Sequence, residues 1–556
     1  MEKRFILFLI LSFAIMMAYP YFVERLGLFP PQQSGQIERP AGEHPAPPKP
    51  SGFATGAPQE TTPGPMEEQT VQVNTSLYHA VFSSRGGKLV LFELKKYTAS
   101  DRKARVMLFQ AHPDAIPALA ILTPDASLNA RLDHGLYAVD GQDLTLDEQN
   151  KAGTITFRYQ DPESGARVLK RVMFENDSYR IAVDVETEAM SGPYLFTMGS
   201  DFGITDWGQK RGFVGFIGPI TDLGGELMKD SPAKMEREVR HEGPIAWTAL
   251  QDKYFIAAAI PTGASAAVVR RTSDTLINTS VEYKTAGPGA VVRHLVLYAG
   301  PKEHQRLKDL GVGLEETVDF GWFIYGSWAI VRWIAKPLFH ILQFLHSFTG
   351  NYGIAIILLT VGVRVLFIPL THKSYRSMKD MQALQPQLQA LQKKYKDDRQ
   401  RLQREMMELY QKNKVNPVGG CLPMILQIPV FVALFNVLYT TIEIRQAPFL
   451  LWIHDLSDKD PYYVLPVIMG LTMLIQQKMQ PTTMDPTQAK IFLMMPILMT
   501  FLFVSFPSGL VLYMITNNVL TIGQQYFTMR YFEARRDEGR GKKEPGKTPA
   551  TSQEKP

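Results

Sequence analysis

The sequence predicts a multi-domain membrane protein: an N-terminal anchor helix, a periplasmic all-β sandwich domain, an interfacial amphipathic helix, and a five-helix α transmembrane core carrying a cytoplasmic helical hairpin. Three observations lead there. Residues 71–315 alternate apolar and polar side chains with a period of two, and residues 350–530 are dominated by long apolar runs. Lys and Arg collect in two of the segments that flank those runs. At 556 residues the chain exceeds one ordinary domain, and a formal charge of +5 with 45% hydrophobic residues hides this segregation. Cys421, the single cysteine, excludes an intramolecular disulfide, so the β domain must hold together by its core alone. About 245 residues suffice for that.

Lys3 and Arg4 precede the apolar run Phe5–Val23, ~19 residues and therefore long enough to span a bilayer. Met17-Ala18-Tyr19-Pro20 is a poor small-x-small cleavage site, which favours an uncleaved anchor over residues 1–23 with its N-terminus in the cytoplasm. Residues 24–70 form a linker. Ten prolines between positions 30 and 70, interspersed with Gly, Ser, Thr and Gln, leave too little apolar surface to fold.

The periplasmic domain is expected over 71–315. Gly153–Tyr159, Val168–Phe174, Tyr179–Val185 and Ala290–Tyr298 read as strands, and Glu175-Asn-Asp-Ser178 as a hairpin turn. Many short strands punctuated by Gly, Pro and Asn suit a sandwich rather than a parallel sheet. The domain holds no HExxH, nucleophile elbow, P-loop or paired cysteines, and His79, His112, His134 and His241 are scattered without ligand spacing. Neither a metal, a cofactor nor an enzymatic activity is expected.

In residues 316–349, Arg332, Lys336, His340 and Gln343 recur at i, i+4, i+8 and i+11, one stripe of a helix. Trp322, Trp328, Trp333 and several Phe fill the rest, a composition suited to a helix lying in the interface plane. Charge counts agree. Segment 372–416 carries eleven Lys/Arg against five acids, the tail 529–556 carries eight Lys/Arg, and the loop 441–461 has two basic residues and four acids. With an interfacial helix and five core spans, both basic segments fall inside the cell. The spans are then 350–371, 417–440, 462–480, 491–506 and 509–528. The fourth of these has 16 residues, roughly 24 Å of helix against a hydrocarbon core of about 30 Å. It must thin the bilayer or lean on neighbours.

Segment 372–416 reads as a helical hairpin. Met378, Met381, Leu384, Leu388, Leu391 and Tyr395 make one stripe, Asp397-Asp398 breaks it, and Leu402, Met406 and Leu409 resume it. Pro386 should interrupt the first helix. The hairpin either fixes topology or docks a ribosome or a signal recognition factor; the sequence does not separate these, and no nucleic-acid sequence readout is expected.

Arg364 is the one charge inside the apolar run Ile354–Leu370, and none of the four later apolar segments contains Asp or Glu. Near the bilayer midplane a cation costs about 2.5–3.5 kcal/mol on insertion scales. Water, polar side chains or a visiting acid must offset that. Asn517, Thr521, Gln524 and Thr528 fall at i, i+4, i+7 and i+11 on the last span, with Thr360, Gln427, Asn436, Thr472, Gln476 and Thr500 on the others. Singly each could be interhelical glue; with Arg364 the set reads as the lining of a wet cavity.

Three collinear stretches then resemble a known family: Asn416-Pro-Val-Gly-Gly-Cys-Leu-Pro423; Arg445-Gln-Ala-Pro-Phe-Leu-Leu-Trp-Ile-His-Asp-Leu456 followed by Asp460-Pro-Tyr-Tyr463; and Phe506-Pro-Ser-Gly-Leu-Val-Leu-Tyr513. They are similar to the YidC-type membrane protein insertases, densely over 320–530, and Ser84-Arg-Gly-Gly87 resembles the periplasmic domain of the Gram-negative form. The resemblance implies an insertase and chaperone in the bacterial inner membrane, with both termini cytoplasmic. Its partners would be nascent inner-membrane proteins, the lipid bilayer, and the Sec translocon with its accessory subunits. It implies that Arg364 faces a hydrated groove open to cytoplasm and lipid. It implies too that clients slide along Ile428, Phe431 and Phe503 to Met514. Where some members have two adjacent tyrosines, this chain has Tyr513-Met514.

The residues suggest a mechanism on their own. A polar groove ending inside the membrane lowers the desolvation cost of a crossing hydrophilic segment, and Arg364 draws acidic groups part-way. The drive is burial of the client's apolar segment, aided by membrane potential. A small-anion transporter or channel using Arg364 is the competing class, disfavoured by the lack of an inverted repeat or broken-helix pair. A membrane-tethered periplasmic enzyme is a third.

Overall fold

The computed structural model describes residues 67–541, except 100–101, 191, 206–214, 236, 274–275, 285–288, 321, 324–325, 328, 396–397, 414, 416–421 and 480–485. The expected anchor 1–23, nearly all of the linker 24–70, most of the stretch 416–423 and the tail beyond 541 lie outside the described residues. Two compact units divide at Asp319 and Phe320.

The first unit is built on a nine-stranded antiparallel sheet. At its centre Arg180–Glu188 pairs with Arg167–Glu175 on one side and with Val291–Pro301 on the other. The sheet runs out through Phe255–Pro261, Ile245–Gln251, Gly218–Leu223 and Glu226–Lys229 to one edge, and through Ala152–Gln160 and Ala138–Asp140 to the other. The Glu175–Ser178 turn brings Phe174 opposite Ile181. Two five-stranded sheets pack on the large one. Phe82 of Tyr78–Ser83 meets Phe157 and Phe174 at ring-centroid distances of 6.2 and 5.6 Å. Leu250 of the large sheet shares a core with Val269 and Ile277 of the other small sheet. Strands such as Arg167–Glu175 and Arg180–Glu188 bury one side-chain parity, as period-two alternation predicts, whereas Phe255–Pro261 and Ile277–Tyr283 are buried on both faces.

One buried position breaks the apolar rule. Along Arg167–Glu175 the buried side chains are Val168, Lys170, Val172 and Phe174. The Lys170 ammonium donates to the carbonyls of Gly86, Gly87 and Leu119 at 2.8, 3.0 and 2.8 Å, and lies 5.0 Å from the centre of the Tyr137 ring. Burial pushes its pKa down to about 7. The lysine therefore pins the Ser84–Gly87 turn. Gly86 and Gly87 both have positive φ (78° and 53°), and a Cβ on Gly86 would stand 2.6 Å from the Asp133 carbonyl oxygen.

In chain order the helices are α1 (Ala126–His134) and α2 (His304–Asp309) in the β unit, then α3 (Ala329–Thr349), α4 (Tyr352–Ala383), α5 (Gln385–Lys394), α6 (Arg399–Lys412), α7 (Leu422–Thr440), α8 (Val464–Met479), α9 (Pro486–Phe503) and α10 (Ser508–Gly541). Asn351 caps α4, its side-chain oxygen accepting from the Gly353 and Ile354 amides at 2.8 and 3.2 Å. The 32 residues of α4 make a rod of about 48 Å. Pro369 lies inside it and removes one rung of its hydrogen-bond ladder. The helix ends at Leu384, and Pro386 sits in the first turn of α5. Tyr395 closes the hairpin between α5 and α6, its ring flanked by Lys394 at 5.1 Å and Arg401 at 5.2 Å.

The stretch Tyr352–His372 of α4 is long and apolar enough to cross a membrane, whereas the apolar stretches Gln427–Thr440, Val464–Met479 and Leu493–Phe503 are shorter. α9 differs from the expected span 491–506. It starts at Pro486, whose missing N–H costs nothing at a helix start, and stops at Phe503 because the chain must turn before Pro507. At Gly470 of α8 an added Cβ would collide with the Thr500 hydroxyl of α9, so these two helices pack at minimal separation.

α3 has three faces. Val331, Ala335, Leu338, Phe339 and Leu342 are buried in the helical unit. Arg332, Lys336, His340 and Gln343 form the polar stripe, and Gln343 donates to Glu443 at 3.4 Å. Ile330, Trp333, Ile341, Phe344 and Phe348 point outward uncovered, Trp333 with 77% of its surface exposed. An apolar outer face beside a cationic stripe is the pattern of an interface-lying helix.

Candidate functional site

Helical spacing assembles the site from two facing stripes. On α4, Thr360, Arg364 and Thr371 fall at i, i+4 and i+11; on α10, Asn517, Thr521, Gln524 and Thr528 follow the same spacing. The stripes meet. The Arg364 guanidinium donates to the Thr521 hydroxyl. That hydroxyl in turn donates to the Asn517 carbonyl at 2.6 Å. Two turns further along α4, the Gln524 amide donates to the Thr371 hydroxyl. From α7, Gln427 donates to the Asn517 side-chain oxygen at 3.0 Å. Three of the expected residues thus form one network around the arginine, Thr521, Asn517 and Gln427, while Gln524 makes a separate bond to Thr371.

Thr371 was not singled out from the sequence. It lies seven residues after Arg364, on the same helix face, and that offset is the signal that could have found it.

The arginine is partly buried, and the groups on the facing stripe are neutral hydroxyls and amides. These solvate a cation without neutralising it. The side-chain oxygen of Gln524 is buried and accepts from no donor among the described residues. Acceptors of that kind suit water or a passing polar chain.

Thr360 is placed differently. Its hydroxyl donates to the Ile356 carbonyl of its own helix at 2.6 Å and is buried. Asn436 is fully buried, and its amide donates to the Phe320 carbonyl at 2.8 Å. The structure thus places Asn436 as a clamp on the segment leading into α3. On the other side of α10, Asn518 donates to Thr472 at 3.1 Å and Gln525 to the Met479 carbonyl at 2.7 Å. Those bonds hold α10 to α8. The polar residues of the last helix therefore divide into a face toward Arg364 and Gln427 and a face toward α8.

The expected client-contact residues also divide. Ile428 of α7 is exposed, and Phe431 and Met514 are half-buried. Phe503 and Tyr513 are buried in an aromatic chain: Tyr513 lies 6.2 Å from Phe431, Phe431 6.5 Å from Phe435, Phe435 6.0 Å from Phe506, and Phe506 4.8 Å from Phe503. Such rings contribute through mutual packing, so Phe503 and Tyr513 serve as core of the helical unit rather than as exposed surface.

Comparison with known proteins gives this arrangement its context. Residues 344–535 match the model of a family described as 60Kd inner membrane protein, and residues 70–341 match that of the YidC periplasmic domain. A membrane protein insertase YidC of Syntrophus aciditrophicus is 38% identical over 553 residues, covering 95% of this chain and 99% of the relative. Its counterpart in Citrifermentans bemidjiense is 42% identical over 470 residues, covering 82% of this chain and 84% of the relative. The one in Nitratidesulfovibrio vulgaris is 37% identical over 550 residues, covering 95% and 99%. With both units matched and the likeness running end to end, the chain belongs to the YidC family of membrane protein insertases.

Proposed function

We propose that this insertase receives its clients at the groove between α4, α7 and α10, with Arg364 as the electrostatic receptor for the client's hydrophilic segment. The observation that carries the reading is the docking of Arg364 on a face made of Thr521, Asn517 and Gln524, all neutral. Hydroxyls and amides orient the cation without adding a countercharge of their own, and a carboxylate entering low-dielectric surroundings would be drawn to it. The exposed Ile428, beside Phe431 and Met514, gives the client's apolar segment a path toward lipid. Insertion needs no covalent step: burial of the apolar segment drives it, with membrane potential acting on translocated charge.

The proposed topology has an N-terminal anchor over 1–23, five core spans centred on α4, α7, α8, α9 and α10, α3 in the interface, and both termini in the cytoplasm. The basic hairpin of α5 and α6 and the basic tail would then face the ribosome and targeting factors, and the Sec translocon would be a lateral partner. The counts of Lys and Arg support that orientation.

The reading is tested by reconstituting the full-length protein and assaying insertion of a single-span client with an acidic translocated tail. Insertion that depends on Arg364 is the expected result. Flux of small anions with no insertion would overturn it.

A further inference from the structure

The loop between α7 and α8 carries an apolar turn that the groove mechanism does not use. Leu450 and Leu451 are 57% and 81% exposed. Leu451 adopts a positive φ of 54°, which is rare and costly for a bulky residue. The turn is braced on every side. The Phe449 amide donates to the Ile453 carbonyl at 2.9 Å, and the Ile453 amide to the Leu450 carbonyl at 3.1 Å. The Trp452 indole donates to Asp460 at 3.0 Å, and the Asn351 amide to the Phe449 carbonyl at 3.1 Å. The Phe449 ring lies directly on Gly353, where a Cβ would overlap it. A strained backbone held by this many contacts keeps two leucines projecting outward.

The position and chemistry of the turn indicate what it meets. Phe449 fixes it at the first turn of α4, the start of that apolar helix. From Gln446 to His454 the loop has no Asp, Glu, Lys or Arg, although Asp455, Asp458, Lys459 and Asp460 follow at once. Tyr462 and Tyr463 are exposed at the entry to α8, the composition of an interfacial aromatic belt. We propose that the Leu450–Leu451 turn is a membrane wedge, inserted at the boundary of headgroups and acyl chains in the outer leaflet. Placed at the start of α4, it would hold the leaflet locally disturbed over the client's route.

The proposal rests on α4 crossing the bilayer, and the test reports the two separately. In a Cys421→Ser background, full-length Leu451→Cys, Leu358→Cys and Lys459→Cys proteins are labelled with an environment-sensitive fluorophore and reconstituted into phospholipid vesicles. Leu358 lies on the outward side of α4 and Lys459 on the charged part of the loop. The Leu451 probe should be quenched by nitroxide lipids labelled near the headgroup about threefold more than by aqueous iodide, the reverse of the Lys459 probe. The Leu358 probe should be quenched by mid-chain nitroxides. Iodide access at Leu451 with lipid quenching at Leu358 overturns the wedge while leaving the span. Shielding of Leu451 from both quenchers means that protein covers the turn, and likewise overturns it. Loss of lipid quenching at Leu358 overturns the span and the wedge together.

Discussion

Arg364 and Thr521 are bonded across two neighbouring helices, the guanidinium donating to a hydroxyl that passes its own hydrogen to the Asn517 carbonyl. The cation is thus oriented by neutral groups. Replacing Arg364 by Ala should lower insertion of an acidic-tailed client about tenfold, equivalent to about 1.4 kcal/mol. A neutral-tailed client should change far less, and Lys should restore much of the loss because charge matters more than the guanidinium fork. Vesicle insertion assays with paired clients check this, and equal losses for both clients would rule out an electrostatic role.

Thr521→Val removes the acceptor but keeps the shape. Loss of an interhelical hydrogen bond of this type costs about 0.6–2 kcal/mol. A lower unfolding temperature together with weakened discrimination between acidic and neutral clients is the expected pair of effects. A stability change with discrimination intact would make Thr521 a packing residue.

Asn436 should behave in the opposite way. Its amide holds the Phe320 carbonyl in a fully buried site. Asn436→Ala should destabilise the helical unit by about 1–3 kcal/mol, since the carbonyl loses its donor, and reduce insertion of every client alike. Client-selective loss in the same assays would return Asn436 to the groove.

Lys170 gives the β unit a pH dependence of known sign. The unfolded chain holds this proton up to the ordinary lysine value of 10.5, whereas the folded chain releases it at about 7. Between those values the unfolded state binds more protons, so unfolding free energy rises with pH through that window. Lys170→Met should remove this slope. It should also destabilise the unit near neutral pH by about 1–3 kcal/mol, because the Gly86, Gly87 and Leu119 carbonyls lose their donor. Pulse proteolysis of the full-length protein at pH 7 and pH 9 reads both effects.

Local pattern carried much of the architecture. Val168–Phe174 and Tyr179–Val185 lie in paired strands because alternation fixes which side chains face the core, and Asn176 and Asp177 suit the turn between them. Lys170 was not singled out, because a lysine sharing parity with Val168, Val172 and Phe174 gives no sign of the carbonyls it meets. The Asn517–Thr528 stripe followed from helical spacing, whereas Thr371 opposite it was not singled out. Burial of Phe503 and Tyr513 did not follow, because which apolar residues pack on one another and which meet lipid depends on neighbours far away in sequence. The bond from Asn436 to the Phe320 carbonyl was not legible for the same reason: a polar residue in an apolar helix looks alike whether it lines water or clamps a carbonyl.

Pro369 stands five residues beyond Arg364 on the same rod, between the groove and the cytoplasmic hairpin. An unbroken helix would act as a stiff lever, turning every push on the hairpin into a displacement of the arginine. The missing rung at Pro369 makes that point easier to bend, but two ties to α10 bracket it: Arg364 is moored to Thr521 before the proline and Thr371 to Gln524 just after it. A push on the hairpin therefore meets a second anchor before it reaches the arginine.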